Sequence, residues 1–356
     1  MKIIEYMQKH DYEELVICID RNVGLKAIIV IHDTTLGPAL GGTRMWSYPS
    51  EEEAMQDALR LAKGMTFRAA AAGLSLGGGN AVIIGNPKSS TDKTEALLRS
   101  FGRYVDSLGG RYVTTQDMGT TVDDMEKIAS ETRHVVGLPS TVGGSGDLSP
   151  ITAYGVLRAI EACAKNVFGS GSLRGKVALV QGLGKVGTAL ARMLHQEGAQ
   201  MIVSDTSEEA TRNAYRQFNA TTVKPEEAYD TQCDIFCPCA QGGTMSKQNI
   251  PRLKTRIVCG AANNQLADDE CGATLGERGI IYAPDYVANA GSVIQLGLEL
   301  GGYDLDGAKQ RVARIYDTMD EIVKRAETDH IPTSVASDRI VEERIQAMRR
   351  AKKIYK

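Results

Sequence analysis

A glycine-rich turn between an apolar strand and a helix is the clearest candidate for a ligand-binding segment. Residues 176–181 form a short apolar run, and Gly182-Leu183-Gly184-Lys185-Val186-Gly187 follows directly. A helical pattern over 188–197, a second apolar run over 200–204 and Asp205 come next. This order of strand, turn, helix, strand and acid is typical of a dinucleotide site. The glycines make the tight turn, admit the pyrophosphate and let helix and strand pack closely.

Asp205 predicts which dinucleotide binds. A carboxylate at the end of the second strand accepts hydrogen bonds from the ribose 2′-hydroxyl and repels a 2′-phosphate. The next four residues, Thr206-Ser207-Glu208-Glu209, contain no arginine that could bind such a phosphate. We therefore expect NAD rather than NADP as the cofactor.

Two glycine-containing segments in the first half of the chain are interpreted as loops. Residues 33–43 are rich in glycine and proline, and residues 73–80 contain three consecutive glycines before Asn80. Glycine lets a backbone approach a ligand closely, and functional groups concentrate on loops. We predict an active-site loop at 73–80, with a simple surface turn as the alternative.

Apolar runs and helical patterns alternate along the whole chain. Ser50 and the acids that follow it predict a helix start, because a serine side chain caps free amides and acids favour the first turn. A glycine- and proline-rich segment at 137–150 marks the best domain boundary. The sequence predicts an α/β protein with two domains, an N-terminal α/β domain (1–145) and a C-terminal Rossmann domain (146–330). The predicted strands cover residues 14–20, 26–32, 81–84, 111–115, 176–181, 200–204, 235–237, 257–259 and 281–283.

Composition excludes several classes of partner. The 356 residues contain 41 Lys+Arg and 44 Asp+Glu, a formal net charge of −3, and no basic stripe that would favour nucleic acid. No apolar run reaches the roughly 18 residues of a membrane span, and the N-terminus has no signal-peptide pattern. We expect a cytoplasmic protein that binds neither nucleic acid nor membrane.

Seven cysteines raise the question of a metal site. Cys233, Cys237 and Cys239 cluster, but structural zinc needs four ligands and no second cysteine pair or histidine pair accompanies them. The residues between them are typical of a buried strand. We expect free thiols and no metal.

Six further blocks of the sequence carry a family resemblance, residues 34–44, 76–79, 117–120, 149–156, 260–265 and 283–286. In these blocks the chain resembles the leucine, phenylalanine and valine dehydrogenases of the glutamate dehydrogenase superfamily, and most closely the leucine dehydrogenases. The resemblance implies two domains separated by a cleft, hydride transfer at a nicotinamide, and reversible oxidative deamination of an L-amino acid with a hydrophobic side chain. It also implies homo-oligomers (dimers or octamers) and a C-terminal segment, from about 330 to 356, that returns to the first domain.

Residue roles follow from the resemblance where residues match. Asp117 falls on the catalytic aspartate that exchanges protons with the substrate amine. The substrate would contact Leu40, Gly41, Met65, Asn263 and Val293. The predicted cofactor-binding residues, from the motif and the resemblance together, are Gly182, Gly184, Lys185, Val186, Gly187, Asp205, Thr206, Thr152, Cys239, Ala240, Asn263 and Asn289.

Two catalytic positions depart from the family pattern. Arg68 replaces the lysine that binds the α-carboxylate, and Asn80 replaces the lysine that activates water. Arginine still binds carboxylates, but asparagine has no titratable group. The alternative interpretation of Arg68 is a surface cation in a helix, and that of Asn80 is a polar residue where a loop meets a strand. Three functions stay open: an atypical amino-acid dehydrogenase, an NADH-dependent imine or carbonyl reductase, and an inactive family member with a regulatory or assembly role.

Overall fold

A computed structural model describes residues 2–302 and 304–354, and the chain folds into two compact units. Unit 1 comprises Met1–Gly146, Gln295–Asp304 and Glu343–Lys356, and unit 2 comprises Asp147–Ile294 and Leu305–Glu342. The chain therefore passes between the units four times. Each unit combines helices with a central sheet, which confirms the predicted α/β class.

Unit 1 is built on a five-stranded mixed sheet with strand order β1-β2-β4-β3-β5. β2 pairs antiparallel with β1 and with β4, whereas β3 pairs parallel with β4 and with β5. The strands are β1 (Glu14–Asp20), β2 (Leu25–Asp33), β3 (Ala39–Trp46), β4 (Gly77–Ile84) and β5 (Tyr112–Gln116). The helices that belong wholly to unit 1 are α1 (Ile3–Lys9), α2 (Glu51–Ala71), α3 (Glu95–Ser107) and α4 (Val122–Ala129).

The unit 1 sheet is buried on both faces at β2, where apolar residues occupy successive positions. Ile29 and Ile31 pack with Phe101 of α3, while Ile28 and Val30 belong to the cluster on the α2 face. This arrangement follows from the alternation of side chains along a strand. α2 begins as predicted, since the Ser50 side chain accepts a hydrogen bond from the Glu53 amide (3.2 Å). The sheet thus has α2 on one face and α3 on the other.

The predicted loops at 33–43 and 73–80 are wrong in part, because residues 39–43 lie in β3 and residues 77–80 lie in β4. The glycines there allow close packing of elements. A Cβ on Gly78 would overlap the Thr66 backbone of α2, and a Cβ on Gly41 would overlap the Gly79 carbonyl oxygen. These contacts require glycine inside regular strands, where local propensity favours a loop.

Unit 2 is built on a six-stranded, fully parallel sheet with strand order β11-β10-β9-β6-β7-β8. This is the Rossmann order, with its switch point between β6 and β9, and it confirms the predicted C-terminal Rossmann domain. The strands are β6 (Val177–Gln181), β7 (Gln200–Ser204), β8 (Thr221–Thr222), β9 (Ile235–Pro238), β10 (Ile257–Val258) and β11 (Ile281–Tyr282). The remaining helices are α5 (Ser149–Phe168), α6 (Lys185–Gln196), α7 (Glu208–Phe218), α8 (Asp269–Glu277), α9 (Asp285–Ala288), α10 (Gly291–Glu299), α11 (Leu305–Ala313), α12 (Ile315–Asp329) and α13 (Thr333–Ile354).

The division into units differs from the predicted domains in two segments. Residues 331–342 belong to unit 2, where the Tyr286 hydroxyl donates to Asp338 Oδ1 (2.6 Å) and lies 2.8 Å from Ser337 Oγ. Residues 295–304 belong to unit 1, where the Glu299 carboxylate accepts hydrogen bonds from the Gly137 and Ser145 amides (both 2.8 Å). None of the helices in the described ranges is long and apolar enough to cross a bilayer.

Candidate active site and cofactor site

The glycine turn of unit 2 lies between β6 and α6. Gly182 has φ +100°, and a Cβ there would lie 2.7 Å from the Ala240 amide nitrogen. A Cβ on Gly187 would overlap the Gly182 carbonyl oxygen. Gly182 is therefore required for the turn and for its close contact with the segment after β9. Gly187 is required for the close packing of α6 against the turn.

Gly184 differs from its two neighbours in the motif. It has φ −65° and ψ −170°, which any residue adopts, and a Cβ there would meet nothing within 4 Å. Gly184 is the N-cap of α6, and no side chain caps the helix, whose first residues are Lys185 and Val186. Uncapped amides beside open space fit the pyrophosphate of a dinucleotide.

Asp205 follows β7 at the carboxyl edge of the sheet. Its Oδ2 accepts a hydrogen bond from the Leu183 amide (2.6 Å), and its Oδ1 accepts one from the Ser207 amide (2.8 Å). Asp205, with Thr206 next to it, is therefore held against the glycine turn. This is the position that a ribose-binding carboxylate requires.

The segment after β9 borders the same turn. The Cys239 amide donates to the Gln181 carbonyl oxygen (2.7 Å), and Ala240 contacts Gly182. These residues stand at the switch point between β6 and β9, where doubly wound sheets bind ligands. The structure thus brings Cys239 and Ala240 to the predicted cofactor site.

The Asn289 side chain combines two hydrogen bonds from its nitrogen with an acceptor oxygen that no described residue contacts by a hydrogen bond. Its Nδ2 donates to Asn263 Oδ1 (2.8 Å) and to the Ala261 carbonyl oxygen (3.2 Å). Its Oδ1 is buried and has no hydrogen-bond partner within the described residues. Such an acceptor fits an amide group of a ligand, because unpaired buried polar atoms are costly. The third predicted residue of this group, Thr152 in α5, donates its hydroxyl to the Leu148 carbonyl oxygen (2.7 Å).

In unit 1, Asp117 follows β5 and pairs with a cation from β3. Arg44 Nε donates to Asp117 Oδ2 (3.1 Å), and Arg44 Nη1 donates to Asp57 Oδ2 (2.9 Å). Burial alone would lower the pKa of Arg44, but the two carboxylates raise it. The Asp117 side chain is 28% exposed, so it keeps access to solvent while Arg44 fixes its orientation.

Asn80 lies inside β4 and is 2% exposed. Its Oδ1 accepts a hydrogen bond from the Gly42 amide (2.9 Å), and its Nδ2 donates to the Ala81 carbonyl oxygen (3.1 Å). Gly42 also borders Asp117, because a Cβ on Gly42 would lie 2.6 Å from Asp117 Cβ. Asn80 and Asp117 therefore meet at Gly42, as the predicted catalytic site requires.

Arg68 and Met65 share one side of α2. The Arg68 Nη1 lies 3.9 Å from Met65 Sδ, and both residues are half-buried. α2 touches β4 at Gly78, which pairs with Leu40 of β3. Unit 1 thus brings together the predicted residues Leu40, Gly41, Met65, Arg68, Asn80 and Asp117. Val293, also predicted for the substrate pocket, is buried in α10 within unit 2.

The cysteine cluster belongs to the apolar core. Cys233 and Cys237 are buried, and burial raises the pKa of the Cys233 thiol to about 11. All seven cysteines are free. Within the described residues, no group of three side chains is arranged to hold a metal ion.

Sequence reasoning missed Arg44 as the partner of Asp117. The available signal is a charged residue between the buried Thr43 and Met45 of β3, where the Arg44 side chain is 16% exposed. A buried charge needs a partner of opposite sign, although its identity depends on the fold.

Comparisons with known proteins cover nearly the whole chain. Residues 14–134 match the sequence model described as Glu/Leu/Phe/Val dehydrogenase, dimerisation domain. Residues 143–209 and 204–351 match the model described as Glutamate/Leucine/Phenylalanine/Valine dehydrogenase. The leucine dehydrogenase of Geobacillus stearothermophilus is 53% identical over 352 residues, which are 99% of this chain and 95% of the relative. That of Bacillus cereus is 52% identical over 355 residues, which are 100% and 96% of the two chains.

A solved structure extends the likeness to the fold. The crystal structure of L-tryptophan dehydrogenase from Nostoc punctiforme has a TM-score of 0.88 and 43% sequence identity. The match covers 98% of this chain and 99% of that chain.

Proposed function

The chain belongs to the Glu/Leu/Phe/Val dehydrogenase family, and from that premise we propose that it deaminates a hydrophobic L-amino acid by atypical chemistry. It is an NAD-dependent oxidoreductase of the amino-acid dehydrogenase type, which acts on CH–NH2 groups. The atypical part lies at Arg68 and Asn80. The observation that carries this proposal is the engagement of the Asn80 amide by Gly42 and Ala81 within the sheet.

In the proposed reaction, the glycine turn at 182–187 and Asp205 would hold NAD, which would supply the hydride acceptor for the α-carbon of the amino acid. Arg68 binds the α-carboxylate, for which a guanidinium offers two parallel donors. Asp117 takes a proton from the substrate amine, and Arg44 keeps the Asp117 carboxylate in one orientation. Leu40 and Met65 contact the apolar side chain.

Asn80 should slow the attack of water on the imine. A general base at this position would accept the water proton, and an amide does not. Loss of one general base costs about 10²–10⁴-fold in rate. We therefore expect slow deamination in the wild-type protein.

A second candidate is the NADH-dependent reduction of a preformed imine or a carbonyl. This reaction needs one hydride and one proton but no activated water. Of Arg68, Asn80 and Asp117, only Asp117 carries a carboxylate, a group that serves as a general acid or base in enzymes. The combination of a partly exposed Asp117 carboxylate with an Asn80 amide that is hydrogen-bonded within the sheet favours this candidate.

The experiment introduces a lysine at position 80, where the general base is absent. Wild-type protein is assayed for NADH oxidation with 2-oxo acids plus ammonia, and with cyclic imines without ammonia. We expect Arg68→Lys combined with Asn80→Lys to raise deamination by roughly 10²-fold, the scale of one acid–base group. Arg68→Lys combined with Asn80→Leu is the matched control, because it loses the same Gly42 hydrogen bond without gaining an amine.

Each outcome separates the candidates. Wild-type deamination at the rate of ordinary relatives would contradict the role assigned to Asn80. Failure of the double lysine variant, with NADH still bound and imines reduced, would favour the second candidate. Asp117→Asn should abolish any recovered activity.

Homo-oligomerisation stays a prediction. It is supported by Ile17 and Ile19, which are 59% and 56% exposed on β1, an edge strand within the segment that matches the dimerisation domain. Exposed apolar side chains on a sheet edge favour association with a second copy. We likewise expect NAD to bind in preference to NADP, because Asp205 would repel a 2′-phosphate.

A further inference from the structure

Asp57 of α2 is a largely buried carboxylate that accepts three hydrogen bonds. Its Oδ2 accepts one from the Tyr48 hydroxyl (2.6 Å) and one from Arg44 Nη1 (2.9 Å), and its Oδ1 accepts one from Arg60 Nη2 (2.8 Å). The side chains of Asp57 and Arg44 are each 16% exposed, whereas that of Arg60 is 59% exposed. Solvent screens an exposed pair. The stronger interactions of Asp57 are therefore those with Arg44 and Tyr48.

The protonation states of this group follow from its surroundings. Burial alone would raise the pKa of the Asp57 carboxyl, but the Tyr48 hydroxyl and the two arginines lower it. Burial and the hydrogen bond to Asp57 raise the pKa of Tyr48, which therefore keeps its proton. Asp57 is thus an anion near neutral pH, and its hydrogen bond from Arg44 is charge-assisted on both sides.

Arg44 divides its donors between two carboxylates. Nη1 donates to Asp57, and Nε donates to Asp117 Oδ2 (3.1 Å). An arginine beside one carboxylate frequently forms two parallel hydrogen bonds with it. Asp117 accepts only one here, and within the described residues its Oδ1 accepts none. Because a guanidinium is planar, the bond from Nη1 to Asp57 fixes the plane in which Nε reaches Asp117.

The backbone of Asp117 is fixed by other contacts. Its amide donates to Thr120 Oγ1 (3.0 Å), and the Thr120 hydroxyl donates to the Thr43 carbonyl oxygen (2.8 Å). These bonds hold the turn after β5 but leave the side chain free to rotate. The orientation of the carboxylate therefore depends on Arg44, and that of Arg44 depends on Asp57.

Asp57 also lies on the side of α2 that carries the predicted substrate residues. Asp57 and Arg68 are eleven residues apart, which is about three helical turns, so they share a face of the helix. Met65 lies on the same side as Arg68, and α2 packs against β3 and β4. One helix thus supports Arg44 and presents the residues predicted to contact the substrate.

We propose that Asp57 is a positioning residue, which holds Arg44 so that Asp117 accepts one hydrogen bond from it and keeps Oδ1 free to exchange a proton with the substrate. A carboxylate that accepts two charge-assisted hydrogen bonds is a poorer proton acceptor, because both bonds favour the charged form. Asp57 acts only through Arg44. This inference rests on the proposed function, in which both candidate reactions use Asp117 for proton exchange.

The first test separates kcat from KM for the reaction that the wild-type protein catalyses. Asp57→Ala frees Arg44 to form two parallel bonds with Asp117, so kcat should fall by about 10-fold, the scale of one charge-assisted hydrogen bond. KM should stay within about 2-fold, because the contacts of Met65 and Arg68 with substrate are unchanged. A displaced α2 would instead raise KM. Asp57→Glu retains a carboxylate and should recover most of the wild-type kcat.

Glu131→Ala is the matched control for the loss of a buried carboxylate. Glu131 is 18% exposed and pairs with two arginines of α3, Arg99 (2.7 Å) and Arg103 (3.5 Å). α3 lies on the opposite face of the sheet from α2. Glu131→Ala should lower Tm about as much as Asp57→Ala does and leave kcat unchanged. An equal fall of kcat in both variants would overturn the inference.

A crystal structure of Asp57→Ala tests the geometry without any turnover. We expect Arg44 to donate to both carboxylate oxygens of Asp117, and an unchanged single bond would overturn the inference. If the wild-type protein turns over neither 2-oxo acids with ammonia nor cyclic imines, the proposed function fails, while two bonds in this structure would still support the role of Asp57. Asp57→Asn keeps the size of the side chain and replaces Asp57→Ala if that variant does not fold. Its kcat should also fall, because three donors then compete for one uncharged oxygen, and an unchanged kcat would contradict the proposal.

Discussion

Gly184→Val should abolish NADH binding without destabilising the fold. The backbone of Gly184 has the extended conformation that valine also adopts, and a Cβ there meets no protein atom within 4 Å. We expect only the affinity for NADH to fall, since the new side chain fills the space assigned to the pyrophosphate. The other two glycines of the motif differ, because a side chain there collides with Ala240 or with the Gly182 carbonyl oxygen.

The expected magnitudes follow from these contacts. NADH at 100 times its Kd stabilises the wild-type protein by about 2.7 kcal/mol. This corresponds to a rise in Tm of roughly 5–11 °C for a domain of 150–250 residues. Gly184→Val should keep the Tm of the free protein and show no rise. Gly182→Ala should lose about 1–3 kcal/mol from its positive φ alone, in the absence of any ligand.

The assay is thermal unfolding with and without NADH, supported by fluorescence titration of NADH. Gly276→Val is the matched control, because Gly276 also lies in unit 2, has no positive φ and meets nothing within 4 Å. It should retain the full rise in Tm. An unchanged rise in Gly184→Val, or an equal loss in Gly276→Val, would refute the reasoning.

Two further predictions concern the stability of unit 1. Burial lowers the pKa of His32 to about 4 from 6.5, so the unfolded chain binds more protons between these values and the free energy of unfolding falls as the pH falls through that window. The free energy of unfolding lost between pH 7 and pH 4 through His32 is about 3 kcal/mol. Urea unfolding at the two pH values should show this loss in the wild-type protein and not in His32→Gln. An unchanged dependence of the unfolding free energy on pH in His32→Gln would contradict the prediction. Gly78→Ala should cost about 1–3 kcal/mol by overpacking against Thr66, whereas Gly64→Ala, in open space on α2, should stabilise by about 0.5–1 kcal/mol. Equal effects of the two substitutions in urea unfolding would refute the packing explanation.

Much of the fold could be predicted because local patterns and tertiary structure agree. β1 and β7 have the predicted bounds, since each is an apolar or alternating run between polar segments. The Rossmann unit was predictable from the glycine motif, because Gly182 and Gly187 answer local steric needs and Gly184 leaves open space at the start of α6. Family resemblance supplied the catalytic positions, and register then brought Asn80 and Asp117 together at Gly42.

The remaining features depend on neighbours that are distant in sequence. The local sequence around Gly78 predicts a loop, and the need for glycine in a strand becomes clear only from its contact with α2. The partner of Asp117 is Arg44, 73 positions earlier in the chain, and no spacing rule connects them.

The discontinuous make-up of unit 1 has a consequence for synthesis on the ribosome. The first 146 residues contain its whole sheet, but Arg349 supplies the guanidinium that binds the buried carboxylate of Asp33 (2.6 Å). Arg344 likewise donates to the Ala70 carbonyl oxygen at the end of α2 (2.7 Å). At about 5–20 residues per second, these arginines are translated roughly 10–40 s after the sheet. The nascent sheet therefore lacks the hydrogen bonds of Arg344 and Arg349 until the last residues of the chain have been translated.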